Sequence, residues 1–119
     1  MANRLVVKVT CGTDDPERSN QAFTVAAAAV AAGAQVSLWL TGEAAWFAVP
    51  GRAELRLPHA APVADLLAAV LAGGTVTLCT QCAVRRGLDE SSILDGIRIA
   101  GAAAFVEEAL GDHTQALVY

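Results

Sequence analysis

The sequence predicts an α/β domain in which a parallel sheet is covered by helices on both faces. Three observations carry this. Short β-branched runs alternate along the chain with helical stretches, an order that demands βαβ crossovers. The length, 119 residues, is that of one domain. Hydrophobic residues make up 55% of the chain, charged residues 17% and aromatics only 5%. The apolar mass is therefore aliphatic, as expected of parallel strands buried on both faces.

The elements follow in order. Leu5-Val6-Val7-Lys8-Val9 is β-branched and reads as a buried strand, closed by Cys11-Gly12. Asp14-Asp15-Pro16 is a helix start, with Asp15 as N-cap and proline at the first helical position. Phe23, Ala26, Ala27 and Val30 then mark an apolar helical face, and Gly33 suits a left-handed C-terminal stop. Gln35 to Leu40 predicts a second strand. Gly42 to Val49 predicts a short helix carrying Trp46 and Phe47, and Pro50-Gly51 a turn. From Pro62, the stripe Val63, Leu66, Leu67, Val70 and Leu71 predicts a helix stopped at Gly73-Gly74. Thr75 to Leu78 is a third strand ending at Cys79. A short helix follows from about Thr80 to Arg86, with Gly87 as its stop. Asp89 to Asp95 reads as a helical turn and Ile97-Arg98-Ile99 as a short strand. Ala102 to Leu110 reads as a helix closed by Gly111, and Gln115 to Tyr119 as a last strand. No repeat, linker or second domain is visible, so residues 1–119 are expected to form one domain.

Several function classes are excluded by composition. The apolar content is too high for a disordered chain, and 4 Pro and 10 Gly are too few for a collagen-like or linker sequence. The net charge of −4 argues against a nucleic-acid partner, which calls for a basic footprint. Ser19 to Gly42 lacks charge and is long enough for a bilayer-spanning helix of about 20 residues. Yet Asn20, Gln21, Thr24, Gln35 and Ser37 interrupt it, and Gly33 divides it, so a helix and a strand are expected rather than a membrane span. Met1 to Val9 is too short, and too soon interrupted by Lys8, for a signal peptide. A cytoplasmic protein is the default expectation. Its three cysteines, Cys11, Cys79 and Cys82, are then reduced thiols rather than a disulfide framework.

Cys79 is the most suggestive position. It stands where a strand ends and a helix begins, the edge at which open α/β sheets gather ligands and catalytic groups. Backbone N–H groups at such a place favour the thiolate, and Arg85 and Arg86 add positive potential. The competing reading is a small buried hydrophobe. Cys82 completes a Cys-x-x-Cys with Cys79. A thioredoxin-like dithiol would need a later proline facing the motif, and none follows Pro62. A structural zinc site would need a second ligand pair, and only Cys11, His59 and His113 remain, scattered along the chain. Cys82 is otherwise a resolving thiol one helical turn from Cys79, or a packed side chain. Cys11 ends a strand and opens on the same sheet edge as Cys79. The two thiols would be close if their strands are neighbours; the alternative is a capped strand end beside Gly12. No Gly-x-Gly-x-x-Gly or Walker A loop is present, and no cofactor or metal is expected. His59, His113, Asp89-Glu90 and Glu107-Glu108 read as solvated.

Leu78-Cys79-Thr80-Gln81-Cys82-Ala83-Val84-Arg85-Arg86-Gly87-Leu88 resembles the cysteine motif of the DsrE/DsrF-like family, in which an Arg-Gly pair follows a strand-ending cysteine. The opening strand with Cys11-Gly12-Thr13, the helix with Ala22-Phe23, the Gly96 to Gly101 segment and the closing Ala116 to Tyr119 strand match as well. The resemblance implies a Rossmann-like three-layer sandwich with a mostly parallel sheet of about five strands, assembled as homotrimers or hexamers. It also implies that Cys79 accepts a persulfide sulfur from a donor and passes it to a thiol acceptor, so the chain would be a sulfur carrier or sulfurtransferase subunit. No family role extends to Cys11 or Cys82. Two alternatives stand beside this: a thiol–disulfide redox protein using Cys79 and Cys82, and a non-catalytic oligomeric module that binds a small ligand. The apolar residues beyond the needs of the sheet, including Trp39, Trp46, Phe47 and Val49-Pro50, are expected at subunit contacts.

Overall fold

A computed structural model describes residues 3–119; Met1 and Ala2, part of the expected 1–119 domain, lie outside it. Five strands form one sheet: β1 Arg4–Val9, β2 Gln35–Leu40, β3 Thr75–Cys79, β4 Ile97–Ala100 and β5 Thr114–Val118. Their order is β4-β3-β2-β1-β5, and every pair is parallel. Four α-helices alternate with them: α1 Pro16–Ala31, α2 Val63–Gly73, α3 Thr80–Arg85 and α4 Ala102–Ala109. Two 3-10 helices, Gly42–Ala48 and Glu90–Ser92, complete the elements. The architecture is the α/β sheet with flanking helices that the sequence predicts, and the sheet is wholly rather than mostly parallel.

Local chemistry sets the boundaries. Asp15 caps α1 by accepting from the Arg18 N–H, with Pro16 at the first helical position. Gly33 follows the helix with φ +89°, a conformation that costs glycine nothing. The order reverses once. The chain steps from β1 to β2 to β3 to β4 in one direction, then returns to place β5 on the far side of β1. Right-handed crossovers require helices on opposite faces for opposite directions. Accordingly α1 and α2 pack together on one face, and α4 crosses the other.

The alternation of each strand sorts its residues between these faces. Val7, Val9, Val36, Leu38, Leu40, Val76, Leu78 and Ile97 meet Ala22, Phe23 and Ala26 of α1 and Leu67 and Val70 of α2 in the main core. Phe23 and Phe47 stack edge to face there, with centroids 5.2 Å apart. Trp39 points the other way and meets Phe105 of α4 edge to face at 5.5 Å. Trp39 and Phe47 are thus buried within this chain, contrary to their expected place at subunit contacts. Trp46 is half-buried, with the Arg52 guanidinium 4.1 Å from its ring centroid. Among the described residues, the exposed large apolar side chains are instead Val84, Val106, Leu110, Leu117 and Val118. Four of these belong to α4, β5 or the turn between them, and neither element has a buried residue. Among the described residues, no helix is long and apolar enough to cross a membrane.

Candidate functional site

Cys79 is the last residue of β3 and the N-cap of α3, as the sequence places it. It is partly exposed, whereas Cys11 and Cys82 are buried. Burial pushes the Cys79 thiol up. The Cys82 backbone N–H, the Cys82 side chain, the Gln81 N–H and the positive charge of Lys8 pull it down, and the net direction is down. The helix contributes through these specific donors; α3 spans only 6 residues. The thiolate is therefore favoured at a position that an incoming group can reach.

Cys82 lies on the first turn of α3, against Cys79. Its sulfur accepts the Gly42 N–H at 3.2 Å. That contact depends on a tight junction between β2 and the first 3-10 helix. Gly42 has φ +54°, and a Cβ there would stand 2.3 Å from the Thr10 carbonyl oxygen. Glycine is required on both counts. The same 3-10 helix backs the Cys11-Gly12 turn, where a Gly12 Cβ would meet the Glu43 carbonyl oxygen at 2.7 Å.

The arginines act elsewhere than on the thiol. Arg86 donates to Glu43 Oε2 from Nη2 at 2.9 Å and to the Cys82 carbonyl from Nη1 at 3.2 Å. Trp46 Nε1 donates to the same Glu43 oxygen at 3.2 Å. Arg86 thus ties the end of α3 to the 3-10 helix, and Arg85 is exposed. The charge that bears on Cys79 belongs to Lys8, whose Nζ lies 5.0 Å from the Phe105 ring centroid. Lys8 is the residue that sequence reasoning missed. Its signal was a single charge inside an otherwise apolar strand, which a central parallel strand tolerates only with a purpose or a partner.

β1 ends at Val9, short of Cys11, and β2 lies between β1 and β3. The strands after which Cys11 and Cys79 stand are therefore not neighbours, and their ends are two sheet spacings apart, about 10 Å. Burial, then Asp15 and Asp14, push the Cys11 thiol up. His59 and His113 are exposed in loops. Among the described residues, no three His, Cys, Asp or Glu side chains gather to hold a metal ion.

Glu108, expected on a solvated face, is a further departure. It accepts from Ser37 Oγ, Trp39 Nε1 at 3.3 Å and Arg98 Nη2, and Arg98 Nε donates to Thr77 Oγ1 at 2.6 Å. Burial raises its carboxyl, and these donors hold it lower overall. This network fastens α4 across the strands whose upper edge carries Cys79. A separate apolar cavity of ≈ 480 Å³ lies between the Val49–Glu54 segment and α2, lined in part by Phe47, Pro50, Val63 and Leu67. No cysteine borders it.

The family model described as the DsrE/DsrF-like family matches residues 3–113. Comparison with curated proteins finds no match. Among solved structures, the YchN protein from E. coli aligns over 100% of both chains with a TM-score of 0.82 at 18% identity. MTH1491, a protein of unknown function from Methanobacterium thermoautotrophicum, aligns over 98% of both chains with a TM-score of 0.67 at 12% identity. At such identities the likeness to these two is one of fold.

Proposed function

The chain belongs to the DsrE/DsrF-like family, and on that premise we propose that it is a cytoplasmic sulfur carrier whose Cys79 accepts and relays a persulfide sulfur. Family membership supports a sulfur-relay role in general. The observation that carries the finer reading is Cys79 itself: a partly exposed thiol with a depressed pKa at the carboxyl edge of the sheet.

The steps balance. The Cys79 thiolate attacks the outer sulfur of a donor persulfide, forming a new S–S bond as the donor's S–S bond breaks. The donor leaves as a thiolate. Cys79 now carries the sulfur as a persulfide, and the N–H groups of Gln81 and Cys82 remain directed at its inner sulfur. A thiolate of the acceptor attacks the outer sulfur in turn, and Cys79 leaves as the thiolate that the same donors and Lys8 favour.

Intact-mass spectrometry after incubation with a persulfide donor tests the reading. A gain of one sulfur atom, absent in Cys79→Ser, is expected; a wild-type mass that does not change, or a gain retained in Cys79→Ser, refutes it.

The proposal includes self-assembly of residues 1–119, as a homotrimer or hexamer. Val106, Leu110, Leu117 and Val118 form an exposed apolar set on α4, β5 and the turn between them. A solution mass several times 12.2 kDa is expected by light scattering, and Leu110→Asp is expected to lower it. A monomer at micromolar concentration overturns this part.

A further inference from the structure

In the relay Cys82 serves Cys79 only as a hydrogen-bond donor, and yet the placement of its own sulfur is specific. It meets Cys79 side chain to side chain from the first turn of α3. Its sulfur is also fixed from behind by the Gly42 N–H at 3.2 Å. That donor is in place only because Gly42 holds a left-handed backbone conformation against Thr10. A cysteine that merely filled space would need neither contact.

Covalent closure of the pair is within reach. Side chains three residues apart on a helix have Cβ atoms about 5–6 Å apart, and a disulfide needs about 3.5–4.5 Å. Cys79 is the N-cap, with φ −63° and ψ 129°, so its side chain is not bound to helical geometry. Cys82 is buried and Cys79 is partly exposed. An external acceptor therefore meets the outer sulfur of a Cys79 persulfide, and Cys82 meets the inner one.

Resting on the carrier reading, we infer that Cys82 is a resolving thiol that discharges the Cys79 persulfide when no acceptor arrives. Cys82 sulfur attacks the inner sulfur of Cys79. A Cys79–Cys82 S–S bond forms, and the bond to the outer sulfur breaks. The outer sulfur is reduced and departs as hydrogen sulfide with the persulfide proton and the Cys82 proton. The two cysteines are left oxidised as a disulfide, and an external dithiol reductant restores them. The device sets a limit on how long the sulfur stays loaded. Transfer to an acceptor competes with internal release.

The test loads wild type, Cys82→Ser and Cys82→Ala with sulfur from a persulfide donor, removes the donor, and follows intact mass and free sulfide over time. Wild type is expected to lose the added sulfur, release one sulfide per chain and end two hydrogens lighter than the reduced chain, with the new bond mapping to Cys79 and Cys82. Both variants are expected to keep the sulfur at least tenfold longer and to release no sulfide. If wild type and both variants load alike and hold the sulfur equally long, the resolving role is refuted and the carrier role stands. If wild type never loads, the carrier role falls and the resolving role with it. The disulfide map in wild type does not depend on how well either variant folds.

Discussion

Replacing Gly42 by alanine isolates the junction on which the thiol pair rests. Gly42 has φ +54°, and left-handed backbone costs a residue with a Cβ about 1–2 kcal/mol. The added methyl would also stand 2.3 Å from the Thr10 carbonyl oxygen. That partner is backbone, so no rotamer change relieves the overlap, and shifting the 3-10 helix off the end of β1 adds about 1–3 kcal/mol. The expected loss is about 2–5 kcal/mol in all, a large share of the ~5–15 kcal/mol that holds such a domain. Gly87 supplies the control. Its φ is +67°, and an added Cβ would meet nothing within 4 Å. Gly87→Ala should therefore cost only the backbone strain. Urea unfolding followed by circular dichroism separates the two. With a slope of about 1–3 kcal/mol per molar, Gly42→Ala is expected to lower the midpoint further than Gly87→Ala by roughly 1 M. Equal shifts would refute the steric argument. Movement of Gly42 also withdraws its N–H from Cys82, so only this variant should change the rate of Cys79 alkylation.

Three further outcomes are expected. Alkylation of Cys79 should follow a pH midpoint below that of an unperturbed cysteine; Lys8→Gln should raise that midpoint, while buried Cys11, shifted the other way, reacts after Cys79, all readable by peptide mass spectrometry. Glu108 has a folded carboxyl held below its unfolded value of ~4.3, so its contribution is complete above that value and is lost as the pH falls through the folded one. Glu108→Gln should cost about 1–3 kcal/mol at pH 7, and the gap between its urea midpoint and that of wild type should narrow as the pH falls below ~4.3. Phe23→Ala removes a fully buried ring from its stack on Phe47 and should cost about 3–5 kcal/mol in the same unfolding measurement.

Much of the fold was legible because local rules and the global fold agree. The β2 strand starts and ends where its composition changes, and Asp15-Pro16 and Gly33 bracket α1 through chemistry visible in three residues. Cys79 was legible for the same reason, as the junction of a strand and a helix. What periodicity does not encode is which strands are neighbours. Cys11 and Cys79 follow or end strands of equal promise, and β2 between those strands decides that they are not neighbours. Nor does it say which face a strand residue joins. Trp39 looked like apolar surplus, and the alternation of β2 turns it onto Phe105. Glu108 looked solvated beside Glu107, but one step along α4 carries it over Ser37, Trp39 and Arg98. Lys8 exerts its influence across two strands, a distance that no local pattern spans.

The placement of β5 has a consequence for how the molecule comes together in time. β1 obtains one neighbour, β2, from sequence close by, but its other neighbour is separated from it by about a hundred residues of chain. During synthesis, β1, β2 and β3 with α1 and α2 can assemble first, and the open side of β1 waits for Thr114–Val118 to emerge. In the single chain the same strand lies at one edge of the sheet, with no buried residue. Until assembly covers it, its amide protons should exchange with solvent sooner than those of β2, as a unit that opens while the rest of the sheet stays closed.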